Sequence, residues 1–416
     1  MKTRMLALSA IFAFGLAAAA QAAPRARDLG VPFDGTPGPL NAITDVAGIE
    51  VGFKTLISGE GARVRGKGPV RTGVTSIFPR GRADGRAVFA GFFAGNGNGD
   101  MTGTHWVEES GVLETPILIT GTGSVGVVRD AAFKWLADRR KGAFWYPLVA
   151  ETADATLHDM TGQHVTVQDT LEAMDAARPG PVTEGNVGGG TGMVCNGFKG
   201  GTGTASRKLT AADGGYTVGV LVQCNYGAAN LLRIAGIPVA REMDVQGPCV
   251  AKLLPHPQQR RGRDAAVCDP TKLALADEVH EEHRGSIIIV IATDAPLTAE
   301  QLKRLARRGT AGLGRLGSIL ADGSGDIFIA FSTANPGADD GNWHEATDKP
   351  ATVSRLPSAA LNPLFAATIE GVEEAVVNAM IAAATMTGAD WWTVSALPHK
   401  PLQDILRRHN LLLPAK

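Results

Sequence analysis

Past its first two dozen residues the chain has no run of about 18 consecutive apolar positions, so no membrane-spanning helix is written into its body. It also lacks an excess of either charge: 40 Lys and Arg face 41 Asp and Glu, a net charge of −1. That balance gives no electrostatic reason to expect a nucleic acid or a membrane surface as partner. Cysteine is scarce, with Cys195, Cys224, Cys249 and Cys268 the full set, and none lies in a CxxC or Cys/His spacing that would hold zinc. There is no G-x-S-x-G elbow and no H-E-x-x-H pair. His280 and His283, in HEEH, sit among charges that suit a solvated face.

What the chain has in abundance is glycine, 52 residues of 416 against a usual share of about 7%. Much of it falls in NGNGD, GTGSVG, VGGGTG and KGGTGTA, between apolar segments, where tight turns and close backbone approach are called for. The first 23 residues carry Lys2 and Arg4, then an apolar stretch, then Ala20-Gln21-Ala22. They read as a secretory leader, which makes the expected location periplasmic or secreted. Export permits disulfides; Cys249 and Cys268 flank an irregular segment and are the favoured pair, while buried free thiols fit the sequence equally well.

From about residue 39 to 245, short strand-like runs (GIEVGF, VTSIFP, AVFAGFF, TPILIT, YPLVAE, YTVGVLVQCNYG) alternate with helical spacing at 105–113, 124–140 and 167–177. Residues 247–285, dense in Pro, Gln, Arg and acids, read as an exposed linker. Then SIIIVIATDAP gives a strand too continuously apolar for a sheet with one wet face. LTAEQLKRLARRGTAGLGRLG follows with helical spacing after Thr298, with Gln301 three residues on. DIFIAFSTAN is a further strand, and LNPLFAATIEGVEEAVVNAMIAAATMTG a long helical stretch. The class is α/β, with layered sheets and helices.

Two fingerprints compete. In the first, Gly121, Gly123 and Gly126 of GTGSVG stand between a strand and a helix, and the next strand ends in Glu151. That is a dinucleotide-binding βαβ pattern, although the acid lies about 30 residues after Gly121, later than the ribose-binding acid usually falls. Asn96, Asn98 and Asp100 of NGNGD alternate like a calcium loop, but its twelfth position is Val107 rather than Glu.

The second fingerprint is EEHRGSIIIV, where a charged run stops at Gly285-Ser286 and becomes an apolar strand. A turn explains this, and so does self-cleavage. Glycine before the serine tolerates unusual backbone geometry, and the strand after it holds the hydroxyl against the carbonyl it would attack. Cleavage would leave Ser286 with a free α-amine of reference pKa roughly 7.7–8.0, able to help activate the adjacent hydroxyl. Ser324 and Asp326, two apart at the opening of a strand, leave on one face and can relay or orient a proton. Asn225 ends a strand and its amide could donate to an oxyanion, or simply serve a turn.

Taken in order, NAITDVAGIEVGF, GNGNGDMTGTHWVEESG, TPILITGTGSVGVVRDA, NVGGGTGMVCNGFKGGTGTASR, VLVQCNYG, RGSIIIVIATDAPL and GSGDIFIAFSTAN span nearly the whole mature chain. In these segments the chain resembles the self-processing aminopeptidases, the group of L-aminopeptidase/D-amino-acid esterases and bacterial β-aminopeptidases. The resemblance implies an αββα sandwich, shared with ornithine acetyltransferases. It implies autocleavage between Gly285 and Ser286 into a larger chain (24–246 plus the linker 247–285) and a smaller one (286–416), together one structural domain. It further implies a homotetramer and no metal or organic cofactor.

By the same resemblance Ser286 is the nucleophile, Ser324 and Asp326 its support, Asn225 the oxyanion donor and Glu151 the partner of the substrate's amine. The substrates implied are short peptides, amides or esters with a free amino terminus. Two departures stand out. Relatives often read E-T-Y-D-G where this chain has Glu151-Thr152-Ala153-Asp154-Ala155, and often carry His at the position of Gly123. The lost tyrosine opens space beside Glu151 for the extra backbone carbon of a β-amino acid. The competing expectations are a dinucleotide-dependent oxidoreductase and a non-catalytic periplasmic binding protein.

Overall fold

The computed structural model describes residues 23–140, 145–243, 247–251, 267–269, 285–336 and 350–414. The expected leader, apart from Ala23, lies outside the described residues, as do the charged run before Gly285 and most of the expected linker. The chain runs β1 (Glu50–Ser58), β2 (Val70–Phe78), β3 (Val88–Gly97), α1 (Thr104–Ser110), β4 (Val112–Leu113), β5 (Ile117–Gly121), α2 (Val125–Arg139), β6 (Leu148–Thr152) and α3 (Val167–Asp175). It continues through β7 (Val194–Cys195), β8 (Phe198–Lys199), β9 (Gly201–Lys208), β10 (Thr217–Asn225) and β11 (Cys249–Val250). Last come β12 (Gly285–Thr293), α4 (Ala299–Ala306), α5 (Gly309–Arg315), β13 (Ser324–Ser332), α6 (Asn362–Ile381), β14 (Met386–Thr387), β15 (Trp392–Val394) and α7 (His399–Arg408).

Two sheets carry the fold. One is four-stranded in the order β1-β2-β5-β6, the other six-stranded in the order β4-β3-β13-β12-β10-β9. Ile77, Ile117, Ile119 and Ala150 of the first meet Leu221, Ile288, Val290, Ile327 and Ile329 of the second in a dry layer between the sheets. Outside the smaller sheet, Val128, Ala132, Trp135 and Leu136 of α2 and Ala173 and Met174 of α3 cover Val74, Phe78, Leu118 and Val149. Outside the larger sheet, α4, α5, α6 and α7 bury Val220, Val222, Ile287, Ile289, Phe328 and Ala330. The result is the αββα sandwich.

The unbroken apolar run after Ser286 follows from this layering. In β12, Ile287, Ile289 and Ile291 point to the helices while Ile288, Val290 and Ala292 point between the sheets, so neither face is wet. The strand lies antiparallel to β10 and parallel to β13. Both strands of the late block thus enter the middle of a sheet whose flanks come from the early block, and the two blocks share one core.

The single helical stretch expected after Thr298 divides into α4 and α5. Its glycines weaken helix propensity and also permit contact, since a methyl on Gly309 would lie 3.0 Å from Phe328 and one on Gly312 2.7 Å from Val372. At the start of α4, the Thr298 N–H donates to Gln301 Oε1 at 3.0 Å. Within the expected linker, Cys249 and Val250 are buried and pair with β15, so this part is not exposed. All four cysteines form disulfides, Cys249–Cys268 as favoured and Cys195–Cys224 in addition. No helix among the described residues is long and apolar enough to cross a membrane.

Helix α6 lies directly on β9, where a methyl on Gly203 would fall 2.0 Å from the Ala375 carbonyl oxygen. Gly203→Ala should therefore separate helix from sheet and cost about 1–3 kcal/mol or more, read as a lowered denaturant midpoint.

Candidate active site

The antiparallel ladder between β10 and β12 pairs Asn225 with Ser286 at the end of both strands. Ser286 is 3% exposed, and its Oγ accepts from the Asn225 side-chain Nδ2 at 3.5 Å and from the Ala153 backbone N–H at 3.4 Å. These are long contacts, of the kind that tighten when charge develops on an oxygen placed between the donors. The Asn225 amide is fixed from behind. Its Oδ1 accepts from the Val194 N–H at 2.8 Å, which leaves Nδ2 turned toward Ala153 O, 3.0 Å away, and Ser286.

The expected reason for Gly285 was tolerance of an unusual backbone, but Gly285 takes no positive φ and lies in β12. Its requirement is space. A methyl there would sit 2.7 Å from Tyr226 Cα and 2.8 Å from Asn225 O. Only a residue without Cβ lets the segment before Ser286 lie this close to the end of β10.

Ser324 and Asp326 do share a face, and the Ser324 hydroxyl donates to Asp326 Oδ1 at 2.6 Å. Desolvation pushes the Asp326 carboxyl up to about 6, against the lowering effect of the Ser324 hydrogen bond, and Oδ2 has no partner among the described residues. The parallel ladder pairs Gly285 with Ser324, Ser286 with Gly325 and Ile287 with Asp326. Paired residues leave a sheet on the same side, so Ser324 and Asp326 leave on the face of Gly285 and Ile287. The Ser286 hydroxyl leaves on the other. The pair therefore lies beside the Gly285–Ser286 peptide link rather than beside the hydroxyl.

Glu151 sits near the end of β6, 4% exposed. Its carboxylate accepts from the Thr122 hydroxyl and, at 3.0 Å, from the Asp100 N–H. Burial raises its pKa and these two donors oppose the rise. A methyl on Gly99 would lie 3.0 Å from Glu151 Oε1 and 3.4 Å from Gly325 Cα, so this glycine separates the carboxylate from the start of β13. Three residues on, Asp154 is buried, and desolvation lifts it to about 7 against the lowering effect of the Thr72 hydroxyl.

The competing motifs find other uses. GTGSVG does join β5 to α2 and the parallel β6. Yet Thr122 holds Glu151, a methyl on Gly121 would strike the Asp154 carboxylate at 2.3 Å, and one on Gly123 would strike Met160 O at 2.5 Å. Gly121 and Gly123 thus serve close packing against Asp154 and Met160. In NGNGD, Asn96 Nδ2 donates to the carbonyls of Asp322 and Ser324, and Asn98 Nδ2 to that of Gly323. These amides tie the loop to the start of β13. Sequence reasoning did not find the Ala153, Val194 and Asp100 N–H groups, because a backbone amide carries no residue signature. Thr122 was hidden inside the glycine pattern.

A family model described as peptidase family S58 matches residues 41–394. The β-peptidyl aminopeptidase BapA of Sphingosinicella microcystinivorans is 50% identical over 96% of both chains. Among solved structures, a β-aminopeptidase from a Burkholderia species superposes with a TM-score of 0.78 at 42% identity, over 92% of this chain and 99% of its own. The L-aminopeptidase D-Ala-esterase/amidase of Ochrobactrum anthropi, described as a prototype serine aminopeptidase with a variant Ntn-hydrolase fold, gives 0.80 at 43% identity, over 94% and 99%.

Asp326 makes a stability prediction. Its folded pKa of about 6 lies above the ordinary 3.8, so the folded state holds a proton that the unfolded state releases. Stability is lost as pH rises from about 4 to 6 and stays lower above that. In a Ser286→Ala background, chosen so that any cleavage at that residue stays out of the comparison, Asp326→Asn should be more stable at pH 8 by about 3 kcal/mol. At pH 3.5 urea midpoints of the two proteins should coincide.

Proposed function

The chain belongs to peptidase family S58 and is a serine aminopeptidase; from that premise we propose that it activates itself by cleavage before Ser286 and prefers amino-terminal β-amino acids. The observation that carries the site assignment is a strand-end hydroxyl, Ser286 Oγ, within 3.4–3.5 Å of two N–H donors and directly preceded by a glycine that packing requires.

In maturation, Ser286 Oγ attacks the Gly285 carbonyl; the C–O bond forms, the C–N bond breaks, and the departing nitrogen takes up the proton the hydroxyl loses to become the α-amine of Ser286. Water then hydrolyses the ester. In turnover, the substrate's ammonium rests on Glu151, whose buried carboxylate is held by neutral donors and gains a cation to match it. Ser286 attacks the carbonyl of that first residue and passes its proton to its own α-amine. Asn225 Nδ2 and the Ala153 N–H take the oxyanion. The α-amine, steadied by Ser324 and Asp326, protonates the leaving amine, and water releases the acyl group.

The methyl of Ala153, where relatives often carry tyrosine, supports room for a β-amino acid beside Glu151, as do the names of the relatives. The same proposal includes export to the periplasm or beyond, supported by the leader-like residues 1–23 and by two disulfides suited to an oxidising compartment. A homotetramer is proposed from the family resemblance.

Active protein should resolve on denaturing gels into two fragments, the smaller beginning at Ser286 by amino-terminal sequencing. Ser286→Ala should remain whole and inactive, and a wild type that works as one uncut chain would sink the assignment. Glu151→Gln should raise KM for a β-alanyl amide by about 10- to 100-fold, the loss of a charge-assisted hydrogen bond. The wild type should turn over the β-alanyl amide faster than the L-alanyl amide; the reverse order would overturn the substrate preference.

A further inference from the structure

The hairpin β7–β8 brackets the end of β10 at three consecutive residues. Cys195 is disulfide-bonded to Cys224, the Val194 N–H donates to Asn225 Oδ1 at 2.8 Å, and the Asn196 N–H donates to Tyr226 O at 2.6 Å. Inside that hairpin lies a lysine that the chemistry so far leaves unused. Lys199 is completely buried, opposite Val194 in the ladder. Its Nζ donates at 2.8 Å to Met193 O and at 2.8 Å to Gly200 O.

Met193 O and the Val194 N–H belong to one peptide group. The ammonium grips the oxygen of that group, its hydrogen is given to Asn225 Oδ1, and the nitrogen of that side-chain amide faces Ser286. Two amides in series thus connect a cation to an oxyanion donor. Each polarises the next, because an amide whose oxygen is hydrogen-bonded becomes a stronger donor through its nitrogen, and more so in a dry interior. We propose that Lys199 is a positioning residue for this enzyme: through the Met193–Val194 peptide it fixes and strengthens the Asn225 amide that receives the oxyanion.

The lysine's burial is otherwise costly. Desolvation alone accounts for its shift, bringing the ammonium down to about 7, and no carboxylate offsets it. A buried cation whose only hydrogen-bond acceptors are backbone carbonyls is weak evidence for stability. Met193 O also accepts from the Gly200 N–H at 2.9 Å, so the hairpin keeps its shape without the lysine while losing the charge at the far end of the chain. This gives the two roles different signatures.

The inference rests on the assignment of Ser286 and Asn225, and the test separates the two. Lys199→Met and Lys199→Gln are compared with wild type on a β-alanyl amide, with rates referred to the two-fragment material counted on denaturing gels. Lys199→Met should lower kcat about tenfold, short of the ~10²–10³ lost when an oxyanion donor is removed outright. KM should stay within twofold, because Glu151 is untouched, and the melting temperature should not fall. Lys199→Gln, neutral but still a donor, should lie between Lys199→Met and wild type in kcat. Self-cleavage, which uses the same donors, should slow in the same order. Unchanged kcat in both variants overturns the proposal, as does a loss of folding in both, which would make Lys199 a core residue. If wild type itself stays one inactive chain, it is the Ser286 assignment that fails.

Discussion

The placement of β12 between β10 and β13 governs nearly everything else in this molecule. Every residue after Gly285 in that strand is buried, with alternate side chains assigned to two different cores. A slip of one residue would exchange the faces and send isoleucines sized for the helix layer into the layer between the sheets. Register is thereby fixed along nine residues, and with it the pairing of Ser286 with Asn225. The contact between these two side chains inherits its precision from hydrophobic packing further along the strand. The same placement would hold together a chain cut at this point, as the proposed function requires. The fragment beginning at Ser286 supplies two central strands of the sheet and the helix α6. That helix is also clamped by the opposite end of the chain, through Arg27 on Glu374 and the Ala26 N–H on Asn378 Oδ1.

Carboxylates divide into two populations according to what they face. Glu374 is buried yet held below its ordinary pKa, because Arg27 and Arg207 both grip it and outweigh desolvation, while Glu184, paired with Arg25 alone, stays raised by burial. Glu151, Asp154 and Asp326 are also buried, and all three are raised, because the hydrogen bonds they accept are too few to offset lost water. A fold that only needed charge neutrality would have paired these as it paired Glu374. Buried acids raised by desolvation are candidates for working groups, and on the proposed function Glu151 has its missing cation supplied by substrate.

Much of this was legible in the sequence, for reasons that can be named. Continuous isoleucine after Ser286 encoded burial on two faces, and the i, i+2 spacing of Ser324 and Asp326 encoded a shared face. What spacing could not encode was the partner strand. Ser324 and Asp326 stand beside Gly285 and Ile287, on the side away from the Ser286 hydroxyl, a fact of register between strands about forty residues apart. The glycines misled in a different way. GTGSVG carried the pattern of a phosphate cradle because a strand-to-helix turn needs small residues whatever it later holds, and here it holds Asp154, Met160 and the hydroxyl that orients Glu151. Gly285 was expected for its dihedral freedom and is required for its missing Cβ. Backbone donors such as the Ala153 and Val194 N–H groups leave no trace in composition at all.

The face division gives cleavage a physical meaning beyond the release of a terminus. Gly285 occupies the ladder position beside Ser324, so the hydrogen-bonded Ser324–Asp326 pair borders the Gly285–Ser286 link while the Ser286 hydroxyl and its two N–H donors lie on the other side. On the proposed cleavage the nitrogen of Ser286 would become an amine at the strand's end, next to the position Gly285 holds, and the pair would border it. Ser286 would then carry a proton acceptor on its own backbone, with the Asn225 and Ala153 N–H donors fixed on a neighbouring strand and loop. On that proposal one rigid frame would serve both reactions, because the first would convert a peptide nitrogen, which cannot act as a base, into an amine that can.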